Sequence, residues 1–149
     1  MQLTLYTDYA LRVLLYLGLK SGERGTITEI SRSYGISRNH LVKVVHQLGL
    51  LGYLDNLRGR AGGLALAMPP EKINIGEVVR KTEPNFKLVE CFDMRTNTCP
   101  IAPVCALKGA LYEAQKQFLD VLDRYTLADV LGNARDLKML LRVPDSPPD

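Results

Sequence analysis

The apolar positions Tyr9, Ala10, Val13, Leu14 and Leu17 recur at helical spacing and predict a first helix over residues 7–21, which Gly22 stops. Thr7 is placed to cap it. Asp8 then falls in the first turn, where a carboxylate suits the helix dipole, four residues ahead of Arg12 on one face. The next pattern is Thr26-Ile27-Thr28-Glu29, a capping box that opens a short helix ending at Tyr34-Gly35. Ser37 is the expected cap of the following helix. There Leu41, Val44, Val45 and Leu48 share an inward face at i, i+3, i+4 and i+7, while Arg38, Asn39, His40, Lys43 and Gln47 lie on the others.

Two short helices around a Gly-bearing turn, the second opening with Arg, Asn and His, form the helix-turn-helix pattern. The second helix is expected to enter the major groove of double-stranded DNA with Arg38, Asn39, His40 and Lys43 as its DNA-facing residues. Beyond Gly52, the apolar pieces Tyr53-Leu54 and Leu64-Ala65-Leu66 flank a Gly-rich stretch and predict a β-hairpin wing. Arg58 and Arg60 on either side of Gly59 suit phosphates or a narrow minor groove. The stretch lacks the Lys-Ser/Thr of a P-loop and the G-x-G-x-x-G spacing, so nucleotide binding is disfavoured.

Asn74-Ile75-Gly76-Glu77 predicts another helix start, running through Arg80. From about Pro103 to Arg124, Leu107, Leu111, Ala114, Phe118, Val121 and Tyr125 repeat in steps of four and three, a heptad seam. The N-terminal elements already form a complete set, so the seam predicts a dimerisation helix, and a homodimer matches a two-fold, palindromic operator. Thr126-Leu127-Ala128-Asp129 predicts one more short helix. The fold expected is mainly α: a winged helix-turn-helix with a β-hairpin wing plus a long dimerisation helix. Its parts are residues 1–80, the DNA-binding domain; 81–102, a cysteine-bearing loop; 103–131, the dimerisation region; and 132–149, a Pro- and Asp-rich tail that is partly disordered.

Composition changes this picture in two places. The net charge of +3 is unevenly spread, with eight Lys and Arg against four Asp and Glu in residues 1–70 and eleven against twelve thereafter, so the basic surplus lies where DNA is expected. All three cysteines fall in one loop, as Cys91-x7-Cys99-x5-Cys105, interrupted by Pro100 and Pro103. An odd number cannot be fully paired within the chain. The opening Met1-Gln2-Leu3-Thr4-Leu5 has no secretory pattern, so reduced thiols in a cytoplasmic protein are expected. The longest apolar run, Tyr9 to Leu19, contains Arg12 and falls short of the roughly 20 residues of a membrane span.

Three clustered thiols read as metal ligands or a redox site. Zinc is the weaker choice because Cys-x2-4-Cys pairs are absent. Structural cysteines and an iron-sulfur electron carrier remain as rivals. No Ser/His/Asp, Cys/His or paired-carboxylate constellation suggests an enzyme.

With these parts in order, the chain resembles the Rrf-type family of dimeric winged-helix regulators over residues 1 to about 131. Tyr6-Thr7-Asp8-Tyr9-Ala10-Leu11-Arg12 and Arg58-Gly59-Arg60-Ala61-Gly62-Gly63 carry the match. Within the family, its regulators of iron-sulfur cluster assembly are known for a His three residues after the last cysteine, where this chain has Lys108. The pattern is more similar to the family's nitric-oxide-sensing repressors.

That resemblance implies an iron-sulfur cluster held by Cys91, Cys99, Cys105 and, from the other subunit, Asp8, with Arg12 as the ion-pair partner nearby. A [4Fe-4S] cluster is implied first and a [2Fe-2S] cluster second. Nitric oxide would be the signal, releasing the repressor from genes of nitric-oxide detoxification. A [2Fe-2S] sensor of cluster status or redox state is the alternative function.

Overall fold

A computed structural model describes residues 2–57 and 62–144. The molecule is organised around α1 (Leu5–Leu19), whose Ala10, Val13, Leu14, Tyr16, Leu17 and Leu19 are all buried. Around it pack α2 (Ile27–Tyr34), α3 (Arg38–Leu50), the hairpin β1 (Leu54–Leu57) and β2 (Gly63–Leu66), and α4 (Ile75–Thr82). These elements contribute Ile30, Leu41, Val44, Val45, Leu48, Leu54, Leu64 and Val78 to one core, joined by Tyr53 from the turn between α3 and β1. All four inward positions predicted for α3 are there. β1 and β2 pair antiparallel with Leu54 opposite Leu66 and Leu57 opposite Gly63, as a wing requires.

Local sequence explains the helix ends. Thr26 accepts from the Glu29 N–H while the Glu29 carboxylate accepts from the Thr26 N–H, closing the predicted box on α2. Gly35 ends α2 at φ 67°, a left-handed conformation that lets the chain turn sharply into α3 at little cost. Ser37 stands at the N-cap of α3 without a side-chain bond, and only its carbonyl, accepting from His40 and Leu41, starts the helix. The first helix differs more. Its cap is Thr4 rather than Thr7; Thr7 lies inside the first turn, fully buried, and donates its N–H to the Thr4 hydroxyl at 3.3 Å.

The second half of the chain returns to the same core. A 3-10 turn at Glu90–Phe92 begins the cysteine loop, and α5 (Ala106–Leu122) follows. Then come α6 (Leu127–Val130), capped as predicted by Thr126 and Asp129, and α7 (Ala134–Leu141). Leu127 and Val143 are buried in the core built by α1, and the Leu127 N–H donates to the Ile73 carbonyl at 2.8 Å. Part of the stretch expected to be a tail is therefore a helix. Ala134, Leu137 and Leu141 pack on the core, and the Ser33 hydroxyl of α2 donates to the Leu141 carbonyl at 2.8 Å.

α4 and α5 meet closely at Gly76. The carboxylate of Asp123, bound by both Arg80 guanidinium nitrogens, occupies the space a Cβ at position 76 would need, and the Asp123 backbone nitrogen is 2.9 Å from it. Gly76→Ala is therefore expected to push α5 off α4 and to destabilise the protein by about 1–3 kcal/mol. Chemical denaturation of the two proteins measures this directly.

Candidate nucleic-acid interface and metal centre

The face predicted to read DNA is built by the first turns of α3. Arg38, Asn39, His40 and Lys43 are all exposed, because the helix turns its Leu41, Val44, Val45 and Leu48 stripe into the core. Arg38 also donates to the Thr28 hydroxyl of α2, which fixes the angle between the two helices at their outer edge. Val42, which hydrophobic patterning does not mark, is half exposed on this face, one helical turn from Arg38 and next to Lys43.

The wing is anchored at its root. Gly25 and Leu64 exchange backbone hydrogen bonds of 2.8 Å each way, and Arg24 reaches the Asp55 carboxylate at 2.8 Å and the Gly63 carbonyl at 3.1 Å. Arg24 carries no sequence signal either, since its partners lie 31 and 39 positions away. Arg58 and Arg60, expected to meet phosphates or a narrow minor groove, lie outside the described residues.

α1 connects this reading head to the other predicted site. Asp8 pairs with Arg12, Nη2 to Oδ2 at 2.8 Å and Nε to Oδ1 at 3.1 Å, as the spacing predicts. The Arg12 guanidinium in turn lies 5.6 Å over the ring of Tyr34, the last residue of α2. Burial pushes the Tyr34 phenol up to about 12, with Arg12 opposing, so the ring stays neutral in the physiological range. On the next position of α1, the Tyr9 ring stands 6.1 Å from the ring of His40 in the recognition helix.

Cys91, Cys99 and Cys105 are all free and all half-buried. Their loop is held by polar contacts rather than by a core. Glu90 accepts from both the hydroxyl (2.7 Å) and the N–H of Thr98, so the residue before Cys91 is tied to the residue before Cys99. The Thr98 hydroxyl, then its N–H, holds the Glu90 carboxyl below the usual range. Asp93 is held low by Lys87 and the Arg95 N–H, and Asn97 accepts from the Cys99 N–H at 3.1 Å. Cys105 caps α5, its Sγ accepting from the Lys108 N–H at 3.4 Å, where the helix dipole favours negative charge. The Phe92 ring meets Tyr112 edge-on at 6.1 Å, fastening the loop to α5.

The donor chemistry fits an iron-sulfur centre: three unpaired thiols in one loop, with a carboxylate elsewhere in the chain. The structure does not gather them. Among the described residues, no three His, Cys, Asp or Glu side chains stand together as a group that could hold a metal ion. Asp8 is occupied by Arg12 of its own chain.

A helix-turn-helix with an exposed polar recognition face, followed by a root-anchored wing, defines a winged-helix transcriptional regulator. The chain belongs to the Rrf2 family, whose profile, described as "Iron-dependent Transcriptional regulator", matches residues 3–133. It is 53% identical over 146 residues to the HTH-type transcriptional regulator NsrR of Bacillus subtilis (strain 168), covering 97% of this chain and 100% of that protein. The NsrR of Oceanobacillus iheyensis is 47% identical over 144 residues, 96% of this chain and 98% of that one.

Among solved structures, T. potens IscR superposes with a TM-score of 0.72 at 23% identity, covering 93% of this chain and 92% of that one. CymR, the global cysteine regulator of B. subtilis, gives 0.68 at 21% identity, covering 87% and 95%. These two share the fold. The family is one of regulators, in agreement with the absence of any catalytic constellation in the sequence. Among the described residues no helix is long and apolar enough to cross a membrane.

Proposed function

We propose that the protein is a homodimeric repressor that binds a palindromic operator and senses nitric oxide through an iron-sulfur cluster, [4Fe-4S] in preference to [2Fe-2S]. The observation that carries this reading is the set of three free, half-buried cysteines in the segment that joins the winged helix to α5. Strong similarity to proteins named NsrR supports it. Cys91, Cys99 and Cys105 would hold the cluster, with Asp8 of the other subunit as fourth ligand. When bound, such a cluster would supply iron for reaction with nitric oxide, and Asp8, a harder donor than the three thiolates, would be the ligand that holds it least firmly.

The chain's own residues carry the response. Asp8 has two partners to choose between: Arg12 of its own helix, at 2.8 Å, and the other subunit's site. A carboxylate committed to the other subunit leaves Arg12 to Tyr34; a carboxylate that comes back draws Arg12 toward it again. Because Tyr34 ends α2 and Tyr9 faces His40 of α3, either change is felt at both helices of the DNA-reading unit. A small rotation suffices, since two recognition helices must match half-sites about 34–36 Å apart. Derepression of nitric-oxide detoxification genes is the output of that mismatch.

On DNA, Arg38, Asn39, His40 and Lys43 face the major groove, with Val42 suited to a thymine methyl, while Arg58 and Arg60 meet the backbone. Arg58→Glu or Arg60→Glu is expected to weaken binding to every sequence and to flatten its salt dependence by about one unit of slope for each phosphate no longer neutralised. Arg38→Ala or Asn39→Ala is expected to change which bases are preferred, by about 1–3 kcal/mol at one position of the half-site. Binding assays on operator variants across a salt series separate the two classes.

The whole reading is tested by native mass spectrometry of anaerobically purified protein, followed by operator titration with and without nitric oxide. A dimer with four iron and four sulfide per subunit that loses its operator on nitric oxide addition is the expected result. Two of each would mark the [2Fe-2S] alternative. An iron-free protein that regulates normally would refute the proposal.

A further inference from the structure

We propose that Glu83 is a positioning residue that binds the first turn of α1, and with it Asp8, to the root of the cysteine-bearing segment. α4 stops at Glu83, whose backbone is extended at φ −83°, ψ 128°, and Pro84 follows, so Glu83 is the last residue of the winged-helix core before the chain leaves for the cysteines. Its carboxylate reaches back 79 positions to Thr4. Oε2 accepts from the Thr7 hydroxyl at 2.5 Å, from the Thr4 hydroxyl at 3.1 Å and from the Thr4 N–H at 3.1 Å, and Oε1 lies 3.2 Å from the same N–H.

The two threonines are the ones that start α1. Thr4 is its cap, and the Thr4 carbonyl accepts the Asp8 N–H at 3.0 Å, so Asp8 stands one turn above the carboxylate. Thr7 is fully buried, and its hydroxyl, which donates to the carboxylate, also lies 3.2 Å from the Thr4 hydroxyl, so the three side chains form one cluster. A negative charge at a helix N-terminus is itself favourable, and charge-assisted bonds are about twice as strong as neutral ones. On its other side, the same short segment is fastened to α5, because the Gln115 side chain donates to the Phe86 carbonyl. Residues 83–86 therefore bridge the start of α1 and the middle of α5. A displacement of the cysteine segment along that bridge reaches Asp8 before it reaches the rest of the head.

This inference rests on the reading of Asp8 as the other subunit's ligand. Its test pairs two measurements on full-length protein, with Glu83→Ala and Glu83→Gln. Hydrogen exchange in the cluster-free protein reports the anchoring alone. Glu83→Ala is expected to speed exchange of the bonded amides of this turn, those of Thr4, Thr7 and Asp8, roughly tenfold while leaving α3 protected, and Glu83→Gln, which keeps an acceptor of the same length, to restore most of that protection. Operator affinity before and after nitric oxide reports the coupling: the ratio seen in the wild type is expected to fall toward one in Glu83→Ala.

Wild-type exchange at residues 4–8 together with a wild-type ratio would overturn the proposal. So would a uniform loss of affinity in both states with the ratio preserved, which is the mark of a plain helix cap. If the wild-type ratio were itself one, the sensor reading would fall instead, and the exchange rates would decide the anchoring by themselves.

Discussion

Cys99→Ala is expected to yield a colourless, iron-free protein that still folds and still dimerises. On the proposed reading it removes one of three thiolates, and neither remaining thiol has a third sulfur to complete a site. The fold has little stake in the residue. Cys99 is half-buried in a loop whose shape comes from Glu90–Thr98, Lys87–Asp93 and Asn97, while the core assembled on α1 holds none of the three cysteines. Visible absorption and iron content should drop to background, operator binding should become insensitive to nitric oxide, and the thermal midpoint should move by no more than about 2–4 °C, the shift of a surface substitution. A monomeric or unfolded product would show that the cysteines are structural.

The second large effect is expected at α5. This helix has no buried residue in the protomer: Leu107 is 66% exposed, Val121 44% and Tyr125, just past its end, 46%. Leu111 and Phe118 between them are half-buried, so the predicted seam exists as a stripe whose own chain covers only part of it. The double substitution Leu107→Glu, Val121→Glu places like charges where two copies of the stripe would meet and touches nothing in the core. The expected product is a folded monomer by analytical ultracentrifugation. Its affinity for a two-half-site operator should fall by about 100-fold or more, because the second half-site is no longer engaged at the millimolar effective concentration that a dimer supplies. A dimer of unchanged stability would place the interface elsewhere.

What the sequence makes legible here follows from how local the cause is. The stripe of α3, the Thr26 and Thr126 boxes and the Asp8–Arg12 pair all arise within one or two turns of chain, and each is found where the spacing puts it. α1 starts earlier than its spacing predicts, and the contact that holds its first turn is illegible in the pattern: Thr4 and Thr7 both bind a carboxylate 79 and 76 positions distant. α7 escapes the pattern for a similar reason: eight residues beside a Pro-rich end carry a weak signal, and the helix is held by burial of Leu137, Leu141 and Val143 against the core of α1.

The same split runs through the site. The cysteine spacing is plain in the sequence; the arrangement of the thiols relative to one another is not, and the described residues show no metal-holding group. Arg24, Val42 and Glu83 carry no motif. Their roles come from a wing root, a helix face and a helix end that exist only once the chain has folded.

The way the chain's last stretch comes home has a consequence for its birth. Leu127 and Val143 fill the core beneath the helix-turn-helix, and Leu141 accepts a hydrogen bond from α2. A ribosome that has translated only the first half has made the winged helix but not the packing that braces it from below. A product stalled before α7 is therefore expected to hold its α2–α3 pair less firmly and to compete poorly for the operator sites of the finished protein.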